Sequence, residues 1–267
     1  MKSILFVTDY GPAVGQGHLV RARALAEYME EHCGIEPIFL LSGFNGRTLR
    51  MFPNHWPVYF SIADSIETPI ARISKIHKVA AVVFDLEKGA PSEEERLAAG
   101  KAKVVSMIGA GYKAVGGEKC DLTFVQGIPD PPVTVSNCFA GPEYIVLREE
   151  FASTPMRLTG RDLARVFVSG GGSDPLDITS FICKSIQSLS CIERIDVVLG
   201  EFYAGDLQYS SRDFDFAKIS ISKALSNPCH MMRVCGLAIV SYGMTALECL
   251  ACGLPTIALS MSDDHEA

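Results

Sequence analysis

The sequence has no apolar run approaching the roughly 18 residues needed to cross a bilayer, and no block rich in lysine and arginine. The first absence argues against a transmembrane segment. The second, with a formal net charge of −7, argues against the electrostatic footprint of a nucleic-acid-binding protein. A secretory signal is missing too, since the opening MKSILFVTDYGP carries one early lysine and turns polar too soon. The expectation is a cytoplasmic protein with neither nucleic acid nor membrane as partner. There is also no Gly-x-Ser-x-Gly nucleophile elbow and no phosphate loop with a Walker lysine. Cysteine is not scarce, at nine residues, but the number is odd and Cys183, Cys235 and Cys249 fall inside apolar runs. Such cysteines are expected to be buried, reduced thiols. Cys249-Leu-Ala-Cys252 has C-x-x-C spacing without a second pair or a histidine at ligand spacing, so no metal or redox centre is expected there.

What is present is a long alternation of strands and helices. With 267 residues, 48% hydrophobic and 21% charged, the chain can build two domains with a sizeable core. Ile4–Thr8 reads as a buried strand, followed by a helix from about His18 to Glu31 with Leu19, Ala22, Leu25, Ala26 and Met29 on one face. VAAVVFD reads as a buried strand ending at Asp85, and SEEERLAAG as a helix with a Ser92/Glu95 capping box. Strands apolar throughout, alternating with helices, indicate parallel sheets covered on both faces. The rhythm breaks around Phe139–Phe151, read as an inter-domain segment, and restarts with ARVFVSG. This divides the chain into domains 1–148 and 149–267. The sequence stops after a strand and a polar loop, where closing helices would be expected.

Three segments join an apolar strand to a helix start through glycine: Gly15–His18, Ser169–Pro175 (SGGGSDP) and Ser241–Thr245 (SYGMT). Glycine lets a ligand approach the backbone, and first-turn N–H groups suit phosphate oxygens. Open α/β sheets bind ligands at this end of their strands. Plain helix initiation is the alternative. Asp174 and Pro175 suit N-cap and first-turn positions, and Thr245-Ala-Leu-Glu248 is a formal capping box. His18 follows a Gly-x-Gly turn directly, and an imidazole placed there can accept a proton from water or a hydroxyl. Asp85, at the end of a buried strand, can orient a histidine or a substrate hydroxyl. His32, His55, His77 and His230 have no compelling companions, and Asp263-Asp264-His265 forms a polar cluster after the last strand.

These motifs resemble a known group. GQGHLVRARALAE resembles the Gly-x-Gly-His-x-x-Arg motif of the PseG/SpsG proteins, and FAGPEYIVLREEFA looks like their Gly-Pro-x-Tyr-x-x-Leu-Arg-x-x-Phe segment. VFVSGGGSDPLDIT and MMRVCGLAIVSYGMTALECLACGLPTIAL are similar to their nucleotide-binding segments, the latter shared with MurG. The group comprises UDP-sugar hydrolases of pseudaminic acid biosynthesis and spore-coat polysaccharide proteins. The resemblance implies a glycosyltransferase-B fold, two Rossmann-like α/β domains facing each other across a cleft. It implies His18 as general base at the anomeric carbon, with Asp85 beside it in the catalytic set. Gly15, Gly17 and Arg21 would lie on the sugar and diphosphate side, and Gly171, Gly172 and Ser173 would approach the nucleotide. Gly243, Met244 and Thr245 would hold phosphate, and Glu248 the ribose hydroxyls. Asp264 and His265 stand where the group has Asn-Gln. No cofactor and no metal are implied, the UDP-sugar being the substrate. An acceptor or a partner enzyme of the same surface-polysaccharide or nonulosonic acid route is also implied.

The departures fall on the sugar side. Hydrolase members carry Asp-His-Tyr where this chain keeps only Asp85, and Met107-Ile108-Gly109 replaces Ile-Asp-Asp. Hydrolysis of a UDP-sugar is the first expectation. Transfer of the sugar to an acceptor is the second, and a non-catalytic sugar-nucleotide-binding subunit the third.

Overall fold

The computed structural model describes residues 2–43, 48–61, 65–109, 119–127, 136–152, 159–205, 207, 213–225 and 227–260. The chain divides between two compact units, one built on residues through Val146 and the other from Leu147 on. The short segment Pro12–Gly17 groups with the second unit.

The first unit holds seven strands: β1 (Lys2–Thr8), β2 (Ile35–Leu41), β3 (Val58–Phe60), β4 (Ala81–Asp85), β5 (Lys103–Gly109), β6 (Leu122–Gln126) and β7 (Cys138–Ala140). They pair in parallel in the order β3-β2-β1-β4-β5-β6-β7. Because β1 has β2 on one side and β4 on the other, the order reverses there, and Thr8 lies beside Asp85 in the register. Alternate residues serve opposite faces. Leu5, Val7, Val82 and Phe84 pack with Ile70 and Ile73 of α2 (Glu67–His77). On the other face Phe6 stacks on Phe39, and Phe39 on Trp56, at 5.1 and 5.5 Å between ring centroids. β1 is buried from Ser3 to Thr8, as a parallel strand covered on both sides must be. The Ser92 capping box forms at the start of α3 (Glu93–Ala98), with both reciprocal bonds present.

Two expectations need correction. The segment read as an inter-domain linker begins with a true strand, β7, in which Cys138 and Phe139 pair with Thr123 and Phe124. Three residues are too few for periodicity to betray a strand, and the stacking of Phe139 on Phe124 at 5.5 Å is a tertiary effect. In α1 (Gly17–Cys33) the buried residues are Leu19, Arg21, Ala22, Ala24 and Ala26, while Leu25 and Met29 are only half-buried. Ala22, Ala24 and Ala26 take the buried positions, and Arg21 is held inward by the Asp85 carboxylate.

The second unit repeats the plan with β8 (Asp162–Ser169), β9 (Arg194–Leu199), β10 (Ile219–Lys223), β11 (Cys235–Ser241) and β12 (Thr256–Leu259), all parallel, in the order β10-β9-β8-β11-β12. α5 (Ile178–Ile186) covers one face, where Ile182, Cys183 and Ile186 meet Val166, Val168 and Val197. α4 (Glu149–Ala152), α6 (Cys229–Val234) and α7 (Met244–Ala251) cover the other, with Phe151, Met232 and Cys249 around Phe167 and Val240. Here the order reverses between β8 and β11, whose ends Ser169 and Val240 are register partners. Each unit thus has a switch point at the carboxyl ends of two neighbouring strands, the place where doubly wound sheets take ligands.

Candidate active site

At the first switch point the apolar run of β4 delivers Asp85 to the sheet edge with only 1% of its surface exposed. A carboxylate so buried must be paired. His18 and Arg21, three apart on α1 and so on one face, supply the partners. His18 Nδ1 lies 2.7 Å from Asp85 Oδ1, Arg21 Nε donates to Oδ2 at 2.8 Å, and Arg21 Nη2 donates to Oδ1 at 2.5 Å. Burial by itself would push the Asp85 carboxyl up, but the Arg21 guanidinium and the His18 hydrogen bond outweigh it and hold it below its ordinary value. An ionised Asp85 only accepts, so the hydrogen between them sits on His18 Nδ1. His18 Nε2 then carries the lone pair, and among the described residues it takes no hydrogen bond. The side chain is 18% exposed, enough to meet a small molecule. This is the arrangement of an oriented general base.

Arg21 was expected beside a ligand. Its Nε and Nη2 are instead turned onto Asp85, and the residue is 6% exposed. Gly15 lies in the loop between β1 and α1, in the left-handed region, and Gly17 is the first residue of α1.

At the second switch point the glycine run is fastened from beneath. Gly170 N donates to Thr179 Oγ1 at 3.0 Å, and Gly171 N to Ser169 Oγ at 3.3 Å. A Cβ on Gly170 would lie 2.2 Å from the Asp174 carboxyl carbon, and Gly171 adopts φ +85°. Two of the three glycines are therefore demanded by the loop itself. The N-cap expectation for Asp174 is corrected. α5 begins only at Ile178, with Asp177 in the capping position and making no side-chain cap. Asp174 reaches in from outside and accepts from the N–H groups of Ile178 and Thr179 at 2.9 and 3.0 Å. These first-turn donors of α5 are thus taken by the protein's own carboxylate. Gly171, Gly172 and Ser173 form the turn above them.

α7 differs. Its N-cap is Gly243, at φ +147°, a conformation that an L side chain rarely adopts, and no side chain caps the helix. The N–H groups of Ala246 and Leu247 turn to Gly243 O, while those of Met244 and Thr245 find no acceptor among the described residues. The expected Thr245–Glu248 capping box is absent, because Thr245 is already inside the helix. Glu248, 4% exposed, points instead at Arg148, whose Nε and Nη2 both donate to Oε1 at 2.9 and 2.8 Å. Burial pushes the Glu248 carboxyl above its ordinary value, with Arg148 pulling the other way. Arg148 was missed in the sequence. The signal was a lone glutamate inside the apolar stretch TALECLA, which requires a cation from elsewhere.

Asp264 and His265 lie outside the described residues. Cys249 and Cys252 are free, buried thiols, and Cys252 Sγ lies 3.9 Å from Cys229 Sγ. Burial pushes the Cys183, Cys235 and Cys252 thiols up to about 12, and Cys249 higher still. Among the described residues no cluster of histidine, cysteine and carboxylate could hold a metal ion, and no helix is long and apolar enough to cross a membrane.

No family model matches the chain. The spore coat polysaccharide biosynthesis protein SpsG of Bacillus subtilis is 23% identical over 97% of this chain and 77% of its own length. The uncharacterized protein MJ1062 of Methanocaldococcus jannaschii is 34% identical over 139 residues, 47% of this chain. The chain spans only 27% of the length of that archaeal protein. Among solved structures, MurG of Acinetobacter baumannii superposes with a TM-score of 0.62 at 15% identity, covering 99% of this chain and 80% of MurG. Arabidopsis thaliana UGT89C1, solved with UDP-L-rhamnose, gives 0.57 at 12% identity, over 99% and 80%. The two parallel sheets are those of the glycosyltransferase-B fold.

Proposed function

We propose that the chain, which is similar to SpsG and shares the glycosyltransferase-B fold, is an enzyme acting at the anomeric carbon of a UDP-sugar. His18 is the base, and the start of α7 with the Gly171–Ser173 turn is the nucleotide site. His18 Nε2 takes the proton of a water as its oxygen bonds to the anomeric carbon. The bond from that carbon to the β-phosphate oxygen breaks, and its electron pair leaves with UDP. A single displacement inverts the configuration. Ionised Asp85 steadies the imidazolium as it forms, as an oriented carboxylate does in other histidine-based sites.

The leaving diphosphate gains charge as the bond breaks. The open N–H groups of Met244 and Thr245 at the start of α7 face that charge without reorganisation. This reading assigns the charge to the helix end rather than to a metal or other cofactor. Gly171, Gly172 and Ser173 border the nucleotide, and Glu248 receives its ribose hydroxyls. Gly15 and Gly17 let the sugar and diphosphate approach the start of α1. Arg21 serves through Asp85.

The observation that carries the proposal is His18 held by Asp85 with Nε2 left to accept. The same base would serve transfer, with an acceptor hydroxyl in place of water. The departures at Met107 and Ile108, each 1% exposed and apolar, favour keeping that second reading. The test is a panel of UDP-sugars offered to the purified chain with and without acceptors. UDP released without an acceptor identifies a hydrolase, and UDP released only with one identifies a transferase. UDP bound but never released from a sugar identifies a binding subunit, and no UDP binding at all overturns the proposal. His18→Ala is expected to lower turnover by about 10²–10⁴ while UDP affinity, measured by calorimetry, stays within twofold or so of the parent.

A further inference from the structure

The Glu248 carboxylate is divided between two tasks. Oε1 accepts both Arg148 Nε and Arg148 Nη2, and among the described residues Oε2 accepts nothing. Oε2 is also not one of the side-chain atoms sealed from solvent without a partner. The residue as a whole is 4% exposed, so its carboxylate is held away from bulk water. Arg148 is itself constrained. Its Nη1 lies 3.2 Å from Glu150 Oε1, and its guanidinium sits over the Phe151 ring, 4.9 Å from the centroid. A guanidinium clamped by a carboxylate and an aromatic face offers a fixed fork. All of these groups belong to the second unit, on α4, on the residues leading into it and on α7.

We infer that Arg148 is a positioning residue. By occupying Oε1 it turns Oε2 of Glu248 toward the vicinal hydroxyls of a bound nucleotide's ribose, and it thereby sets a preference for ribose over 2′-deoxyribose. The inference rests on the nucleotide reading of the second unit proposed above. It goes beyond it by assigning the sugar selectivity to a residue 100 positions away in the sequence. A carboxylate left without this clamp could swing its charge to solvent or take a proton, and either change would cost the hydroxyl contact.

The experiment is calorimetric titration of the whole chain with UDP and with 2′-deoxyuridine diphosphate. Wild-type protein is expected to favour UDP on the order of tenfold or more, the worth of one charge-assisted hydrogen bond. Arg148→Gln is expected to reduce the ratio to within about twofold, mostly by weakening UDP. Arg148→Lys, which keeps the charge but not the fork, should recover part of the ratio. Glu248→Gln should collapse it as Arg148→Gln does, and the double variant should lose nothing more. If Arg148→Gln fails to fold by circular dichroism, Arg148→Lys and Glu248→Gln decide. An unaltered ratio in Arg148→Gln, or equal weakening of both ligands, overturns the inference while leaving the nucleotide reading intact. Failure of the wild-type chain to bind UDP overturns both.

Discussion

Asp85 and Glu248 are buried carboxylates answered by arginine, yet their pH behaviour runs in opposite directions. The Asp85 carboxyl is held below its ordinary 3.8, so its contribution to stability is full above that value and is lost as the pH falls through the folded-state value. Glu248 is raised above its ordinary 4.5, so its share is full below that value and is lost as the pH climbs through the folded-state value. Asp85→Asn should therefore flatten the melting temperature against pH below about 4. At neutral pH the same change leaves Arg21 without its counter-ion, for a loss of about 3 kcal/mol, read by denaturant unfolding. Turnover should fall by roughly 10²–10⁴, because an amide can donate to His18 Nδ1 and so present the wrong tautomer. Retained turnover in Asp85→Asn would remove Asp85 from the reaction.

Among the elements, α3 and the glycine loop offer contrasting tests. The Ser92 hydroxyl accepts from Glu95 N at 3.2 Å while Glu95 Oε2 accepts from Ser92 N at 2.7 Å. Ser92→Ala should cost about 1 kcal/mol in chemical denaturation and leave turnover alone. Gly171→Ala should cost more, about 1–3 kcal/mol, since φ is +85° and a Cβ would sit 3.1 Å from Ser241 Oγ. It should also weaken UDP binding, because the loop must shift to admit the methyl group. What could be read ahead of the structure was local. The capping box, the unbroken apolar strands and the end of β4 at Asp85 are written within a few neighbouring residues. What escaped depended on distance along the chain: Arg148 answers Glu248 from 100 residues away, and Arg21 answers Asp85 from 64. The late start of α5 escaped for another reason. Asp174 caps that helix from outside its first turn, a role that spacing alone assigns to the N-cap.

For the molecule as a whole, two parallel sheets with separate cores mean that one stability value will not describe it. Phe167→Ala, at a fully buried position of the second core, should cost about 3–5 kcal/mol. Hydrogen exchange should report that loss in β8, β9 and β11 and leave protection in β1 and β4 near its parent level. Uniform loss in both sheets would mean that the units unfold as one. The distribution of cysteine supplies a chemical recorder of the same event. Cys183, Cys229, Cys235, Cys249 and Cys252 are all shut inside the second unit, whereas the first encloses only Cys120. Cys33 and Cys191 stand at the surface. A thiol reagent added to native protein would consume those two at once. The slow remainder of its colour change, once Cys120 and half-buried Cys138 of the first unit are set apart, would then count, sulfur by sulfur, how often the second unit opens.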